Sequence, residues 1–396
     1  MIFSLEALQA KHGDSLLLYY GKKTNPRIII VDGGPAGIYK GFLKPRLLEI
    51  KNKFSPGSTM PISMVMVSHL DDDHVNGILA LTDEVVDKDE DNEPQDFGIS
   101  NIWVNTFDDI IGNIQLPVIS SVAASAQATD FRGIPEIATA EQHIAAVIAS
   151  TAQGRRLRDN AGVLSAIVNN PFPPIKKTKV RLVRGDGKGT ALAWDTGIKI
   201  RVIHPNLQRL NELQIKWDKD LKKAKAKGDN SIIMATITDP DTSPFNLSSI
   251  VCLVEAGGKK ILLTGDARTD DIIEGLKHNK LLDKKGHLKV DLLKLPHHGS
   301  VRNADADFFK TVTADHYIIS ADGLHKNPDK GLLDIIADVK LKGTLYFTNH
   351  SGKLGLKKKL DNFVKKLKSN GSKLKVVFRK DAAPSVRVDL LEKLNF

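Results

Sequence analysis

The sequence predicts an α/β fold, and two observations carry that prediction. Short apolar runs rich in Val, Ile and Leu alternate with helical patterns along most of the chain, and the runs end in Gly, Asp, Asn or His, as strands do where they leave a sheet. The 396 residues, 41% of them hydrophobic, can bury a large core. Taken in order, DSLLLYYG and RIIIVDGG read as strands, KGFLKPRLLEIKNKF as a helix, and ISMVMVSHL and ISNIWVNTF as strands. Between the last two, the acidic TDEVVDKDEDNEPQDFG reads as a solvated surface loop. From 108 to 178 small residues at helical spacing predict a helical insertion, closed by the proline-rich PFPPIKKT. Strands resume at VRLVRG and IKIRVIHP, followed by a charged helical segment, LNELQIKWDKDLKKAKAKG, and the strands SIIMATI, SIVCLVEAG and KKILLTGDA. The remainder alternates again: a helix near TDDIIEGLKHNKLLDKKG, the strand VDLLKLP, a helix near DADFFKTVT, then HYIISADG, a further helix and TLYFTNH.

The last stretch, 353–396, contains GLKKKLDNFVKKLKSNG, where Leu356, Leu360, Phe363, Val364 and Leu367 recur at helical spacing opposite a lysine face. That face is a solvated exterior or a phosphate-contacting one. With the strand KVVFRK after it, this stretch is expected to complete a single domain spanning 1–396. The chain carries 57 Lys and Arg against 47 Asp and Glu, a formal charge of +10. This balance suits an anionic substrate such as a nucleic acid or nucleotide. The first residues lack the features of a secretory signal, and no apolar run is long enough for a bilayer, so the expectation is a cytoplasmic protein without membrane contact. The single cysteine, Cys252, sits in an apolar strand, which excludes disulfides and Cys-rich metal sites and makes it a packing residue.

The chemistry gathers at strand ends. SHLDDDHVNG, residues 68–77, follows the apolar PISMVMV and presents His69, Asp71, Asp73 and His74, nitrogen and oxygen donors suited to divalent transition metals. Two further strands end the same way: KKILLTGDA leaves Asp266, and VDLLKLPHHGS leaves His297 and His298. Loops at the carboxyl ends of strands are where α/β sheets place ligands.

In order and spacing, GDSLLLYY, IIIVDGG, SHLDDDHVNG, LLTGDA, LKLPHHGS and IISADG resemble the metallo-β-lactamase superfamily, and most of all the hydrolase domain of ComEC-type competence proteins. The resemblance covers roughly residues 1–107 and 230–350. It implies an αββα sandwich, two divalent ions (zinc or manganese) and hydrolysis of a phosphodiester by a metal-bridging hydroxide, that is, a phosphodiesterase or nuclease. By position, His69 and Asp71 would hold the first ion, Asp73 and His74 the second, and Asp266 both, with His297 or His298 completing the second site. The family motif has a histidine where this chain has Asp71, which favours manganese or mixed occupancy. The usual third histidine of the first site has no counterpart. Asp229 or Asn230 in AKGDNSIIM, or His204, stands as its substitute. Asp73 is expected to orient the nucleophile and protonate the leaving group, and Asp32 of VDGG to buttress the metal loop. Ser300, with the other histidine of HHGS, would donate to a phosphoryl oxygen or support the ligands. The alternatives are a hydrolase of a small ester, lactone or thioester on the same fold, or a non-catalytic basic binding protein.

Overall fold

In the computed structural model of the protein, the described residues are 1–110, 152–175, 179–187, 191–195, 197–212, 215 and 247–395. The chain begins with three antiparallel strands, β1 (Ile2–Leu8), β2 (Ser15–Lys22) and β3 (Asn25–Gly33). A π-helical turn over Tyr39–Leu43 runs into α1 (Lys44–Phe54), whose second residue is a proline with no amide hydrogen to lose there. β4 (Met60–Ile62) and β5 (Met64–Met66) precede α2 (Asp72–Glu90), and β6 (Phe97–Ile99), β7 (Asn101–Trp103) and α3 (Phe107–Ile110) follow it. After a helix over 152–163 come β8 (Ile167–Val168), β9 (Ala191–Asp195), β10 (Ile198–His204), β11 (Val251–Ala256) and β12 (Lys259–Leu263). The last part comprises α4 (Thr269–His278), β13 (Leu288–Lys294), α5 (Ala306–Thr311), β14 (Val312–Ile319), α6 (Lys330–Asp338), β15 (Thr344–Phe347), α7 (Leu356–Ser369), β16 (Lys375–Phe378) and β17 (Ser385–Asp389).

These strands form two large sheets and one small one. The first large sheet has the order β17-β1-β2-β3-β5-β7-β8, the second β16-β15-β14-β13-β12-β11-β10-β9, and β4 pairs with β6. In both large sheets one part is antiparallel and the rest parallel, the parallel strands being joined through helices. Alternation along each strand separates the cores. Leu16 and Leu18 of β2 join Ile29, Met66, Ile200, Val254, Ile261 and Leu292 in a cluster shared by both sheets. Leu17 and Tyr19, pointing the other way, pack with Leu47 and Ile50 of α1 and Ile78 and Leu81 of α2. The second sheet sends Leu253, Leu262 and Leu293 against Ile272, Phe308, Leu332, Leu360 and Phe363 of its helices.

α2 lies unusually close to β3. A Cβ on Gly77 would stand 1.9 Å from the Gly33 carbonyl oxygen, and the Gly77 amide donates to the Gly34 carbonyl at 2.9 Å. Only a glycine lets the two backbones approach in this way.

The structure departs from the sequence reading in several places: VRLVRG, expected as a strand, makes only an isolated bridge from Arg181 to Pro174, and β9 and β17 are strands that reading did not name. α2 continues to Glu90, so the first half of the acidic stretch 82–98 is helix; Thr82, Val85 and Val86 are buried at helical spacing while the acidic residues face outward. β1 is a full strand that the sequence reading did not name; all seven residues are buried, Ser4 and Glu6 included. Within 108–178, the helix stops at residue 163 and Ile167–Val168 add a strand to the first sheet; residues 111–151 lie outside the described residues. The same holds for SIIMATI and most of LNELQIKWDKDLKKAKAKG. The expected lysine-faced helix is α7, with Leu356, Leu360, Phe363 and Leu367 buried. The strand β17 closes the first sheet beside β1. Among the described residues no helix is long and apolar enough to cross a membrane.

Candidate metal centre

Both large sheets contribute loops to one place. From the first sheet, β5 runs into Ser68, His69 and Leu70, and Asp71 stands at the N-cap of α2 with Asp73 and His74 in its first turn. A helix start favours carboxylates there with or without a metal. From the second sheet, the turn after β12 presents Asp266, and the turn after β13 presents His297 and His298. His297 (φ 47°), His298 (φ 52°) and Asp32 (φ 59°) all hold left-handed backbone, which costs a non-glycine residue free energy and is found most often where a site demands it.

The imidazoles and carboxylates converge. His74 Nε2 lies 3.2 Å from His298 Nε2 and 3.5 Å from Asp266 Oδ1. His298 Nε2 is 3.3 Å from Asp73 Oδ2 and 3.5 Å from Asp266 Oδ2. His69 Nε2 is 3.9 Å from Asp266 Oδ2 and 3.5 Å from Asp71 Oδ2, and His297 Nε2 is 3.7 Å from Asp266 Oδ2. Asp266 thus reaches all four rings, with Oδ1 toward His74 and Oδ2 toward His69, His297 and His298.

Hydrogen bonds behind the rings fix what each nitrogen offers. The Ser320 carbonyl can only accept, so His298 donates from Nδ1 (3.0 Å). Asp32 Oδ2 accepts from His74 Nδ1 (2.9 Å), and Asp32 is itself held by the Ser68 amide and hydroxyl, both donating at 2.7 Å. Each Nε2 then carries a lone pair aimed at the other and at the carboxylates. The inward-facing atoms of His74, His298 and Asp266 are all acceptors, and His69 Nε2 and Asp266 Oδ1 are buried without any hydrogen-bond partner. Buried acceptors facing one another are unfavourable unless a cation or protons lie among them. Electrostatics says the same. Burial alone would lower the His74 pKa, yet Asp266, Asp32 and Asp73 raise it well above its ordinary value. Burial would raise the Asp266 carboxyl, yet His298, His297 and His74 hold it well below the usual range. The donor set fits a divalent cation, with Asp32 and Ser320 orienting the ligating rings from behind.

Of the other residues singled out in the sequence, Ser300 is nearly buried and its Oγ accepts the Arg302 amide (3.3 Å). His297 is held through Nδ1 by Asn303 Oδ1 (2.7 Å). His204 is not brought to the centre: it is buried, and its Nε2 donates to the Leu247 carbonyl (3.0 Å). Asp229 and Asn230 lie outside the described residues.

The sequence reading missed Asp14. Asp14, His74, Asp266 and His298 each offer a ligand atom within 4.8 Å of the others, and all four are buried. Asp14 Oδ1 has no hydrogen-bond partner and lies 3.8 Å from His298 Nδ1, so it stands behind that ring, while Oδ2 accepts from Lys294 Nζ at 2.5 Å. A carboxylate in GDS ahead of an apolar strand, and a lysine inside the apolar VDLLKLP, were the available signals.

Neither a family model nor a curated relative matches this chain. Among solved structures, "Putative metal-dependent hydrolase from Parabacteroides distasonis" aligns over 95% of this chain and 93% of its own, at 12% identity and a TM-score of 0.35. That likeness is too distant to carry an argument, and the functional reading rests on the side chains of the centre.

Proposed function

We propose that the protein is a metal-dependent hydrolase of the metallo-β-lactamase type, an αββα sandwich, and that it cleaves phosphodiesters. The observation that carries this reading is the convergence of buried acceptor atoms from His74, His298 and Asp266, with the unpartnered His69 Nε2, on one volume. His69 and Asp71 would hold one divalent ion, Asp73, His74 and His298 another, and Asp266 both. When bound, two such ions would acidify a shared water and offset charge on phosphoryl oxygens during in-line displacement. The carboxylate-rich ligand set favours manganese or a manganese–zinc mixture over zinc alone.

The protein's own groups do the rest. Asp73, with about a fifth of its side chain exposed, would orient the attacking water and pass a proton to the departing oxygen. His297, similarly accessible, donates from Nδ1 to Asn303 Oδ1 and so would offer the lone pair of Nε2, 3.7 Å from Asp266 Oδ2, as a further ligand. The net charge of +10 favours an anionic substrate, in keeping with a nucleic acid or nucleotide.

The test is metal analysis of the purified protein together with hydrolysis of bis(p-nitrophenyl) phosphate in added manganese or zinc. Asp73→Ala and Asp266→Ala should fold, lose bound metal and lose activity. Parental rates in both variants would refute the assignment.

A further inference from the structure

A basic feature borders the centre, built from loops of both sheets. The β1–β2 loop passes so close to the start of α2 that a Cβ on Gly13 would meet the Asp73 carbonyl oxygen at 1.9 Å, and the Asp14 amide donates to that same oxygen (3.2 Å). His12 is thereby held near Asp73, and Lys11 precedes it in the loop. From the second sheet, Ser320 accepts from His298 Nδ1 through its carbonyl and donates through its hydroxyl to the Gly13 carbonyl (2.7 Å), joining the two loops. The chain then continues to His325 and Lys326.

The loops meet ring to ring. His12 and His325 lie edge to face, centroids 5.9 Å apart at 76°. His12 is half-buried; burial lowers its pKa, and the negative charges of Asp73 and Asp322 act on it in the opposite sense. Lys11, His325 and Lys326 are exposed and all three hold left-handed backbone (φ 55°, 54° and 67°). Such conformations persist only where the surroundings impose them. Here Lys359 of α7 imposes one, donating to the carbonyls of Lys326 (2.6 Å) and Pro328 (2.9 Å). The two carboxylates of this loop are committed to backbone amides, Asp322 to that of Leu324 (2.9 Å) and Asp329 to that of Val301 (2.9 Å).

We propose that Lys11, His12, His325 and Lys326 form a phosphate-binding rim that holds a second phosphate of the substrate, so that the substrate is a single nucleic-acid strand with several phosphodiesters and not an isolated small ester. The inference rests on the reading of the centre as a phosphodiester hydrolase. Two ammonium groups and two imidazoles at the mouth of an anion-cleaving site supply donors of the kind that position a phosphate backbone without reading its bases.

The test is binding, which does not require turnover. A fluorescein-labelled phosphorothioate oligothymidylate, whose linkages resist cleavage, is titrated by anisotropy into the full-length protein with metal content and melting temperature recorded. The pairs are His12→Ala/His325→Gly and Lys11→Gly/Lys326→Gly, since glycine keeps the left-handed backbone while deleting the side chain. Each pair should weaken binding about tenfold or more. The lysine pair should also flatten the slope of log affinity against log salt by about 0.7 per lost contact. Should the histidine pair unfold, the exposed lysine pair decides. Parental affinity in the variants, or no binding by the parent at low salt, would overturn the rim. Weakened binding in the variants beside a parent that hydrolyses no phosphodiester keeps the rim and removes the hydrolase reading; hydrolysis with unchanged variant affinity removes the rim alone.

Discussion

Replacing Lys294 with methionine should destabilise the protein by about 3–5 kcal/mol, the cost typical of leaving a buried charge without its partner. Lys294 and Asp14 are each about 1% exposed, and their 2.5 Å contact is the one hydrogen bond to the Asp14 carboxylate among the described residues. Water cannot reach the carboxylate once the ammonium is gone, and Asp14 Oδ1 already lacks a partner. The methylene chain of methionine fills most of the space, so lost packing contributes little and the electrostatic part dominates. Asp14→Leu alone should cost a similar amount, because it leaves Lys294 with only the Leu295 carbonyl (3.1 Å). The double variant removes both charges and should be more stable than the sum of the singles by about 2 kcal/mol or more. Urea denaturation with a chelator present measures all three against the parent without interference from bound metal. Additivity within about 0.5 kcal/mol would refute the claim that the two side chains stabilise one another.

Asp32→Asn removes the acceptor behind His74 and should reduce metal affinity about 10–100-fold while the protein stays folded, read by competition with a chromogenic chelator. Gly77→Ala tests the close approach of α2 to β3 by its sign: helix propensity alone predicts a gain of about 1 kcal/mol, whereas a Cβ 1.9 Å from the Gly33 carbonyl predicts a loss of about 3 kcal/mol or more in denaturant unfolding. His204, pushed below its ordinary pKa of 6.5 by burial, stays neutral in the native state while the unfolded chain takes up a proton. Its contribution is complete above about pH 6.5 and is lost as the pH falls through the lower folded value, so His204→Gln should flatten the acid limb of chelated protein's stability between about pH 7 and 5. Burial raises the Cys252 thiol far above its usual pKa, so it should resist iodoacetamide in the native protein and react only on unfolding; prompt alkylation at neutral pH would contradict the packing role.

How legible the molecule was depended on how far apart the interacting residues lie. His69, Asp71, Asp73 and His74 share one six-residue stretch after a strand, and Asp266, His297 and His298 follow strands of their own, so local pattern nominated all of them. Asp14 and Lys294 are 280 residues apart, and neither has local meaning until the two sheets face each other. Composition misled at 82–90, where acidic residues cover the outer face of α2 and obscure the buried Val85 and Val86. β1 was passed over although Ser4 and Glu6 alternate with apolar residues; their partners Asp389, Tyr19 and Arg46 lie on other elements, so their burial had no local sign. His204 looked available as a donor because a strand-ending histidine gives no hint that the Leu247 carbonyl already claims it.

Asp73 and His74 are anchored to one sheet, Asp266 and His298 to the other, so the distances among them are set by how the sheets seat against each other. The seam is lined by residues with no chemistry of their own, such as Cys252 and Met66, whose sulfurs touch at 3.9 Å well inside the shared core. A change of one methyl group there can alter the ligand geometry without altering a ligand. The selectivity of such a centre for one ion over another is therefore open to drift through substitutions that no motif would mark.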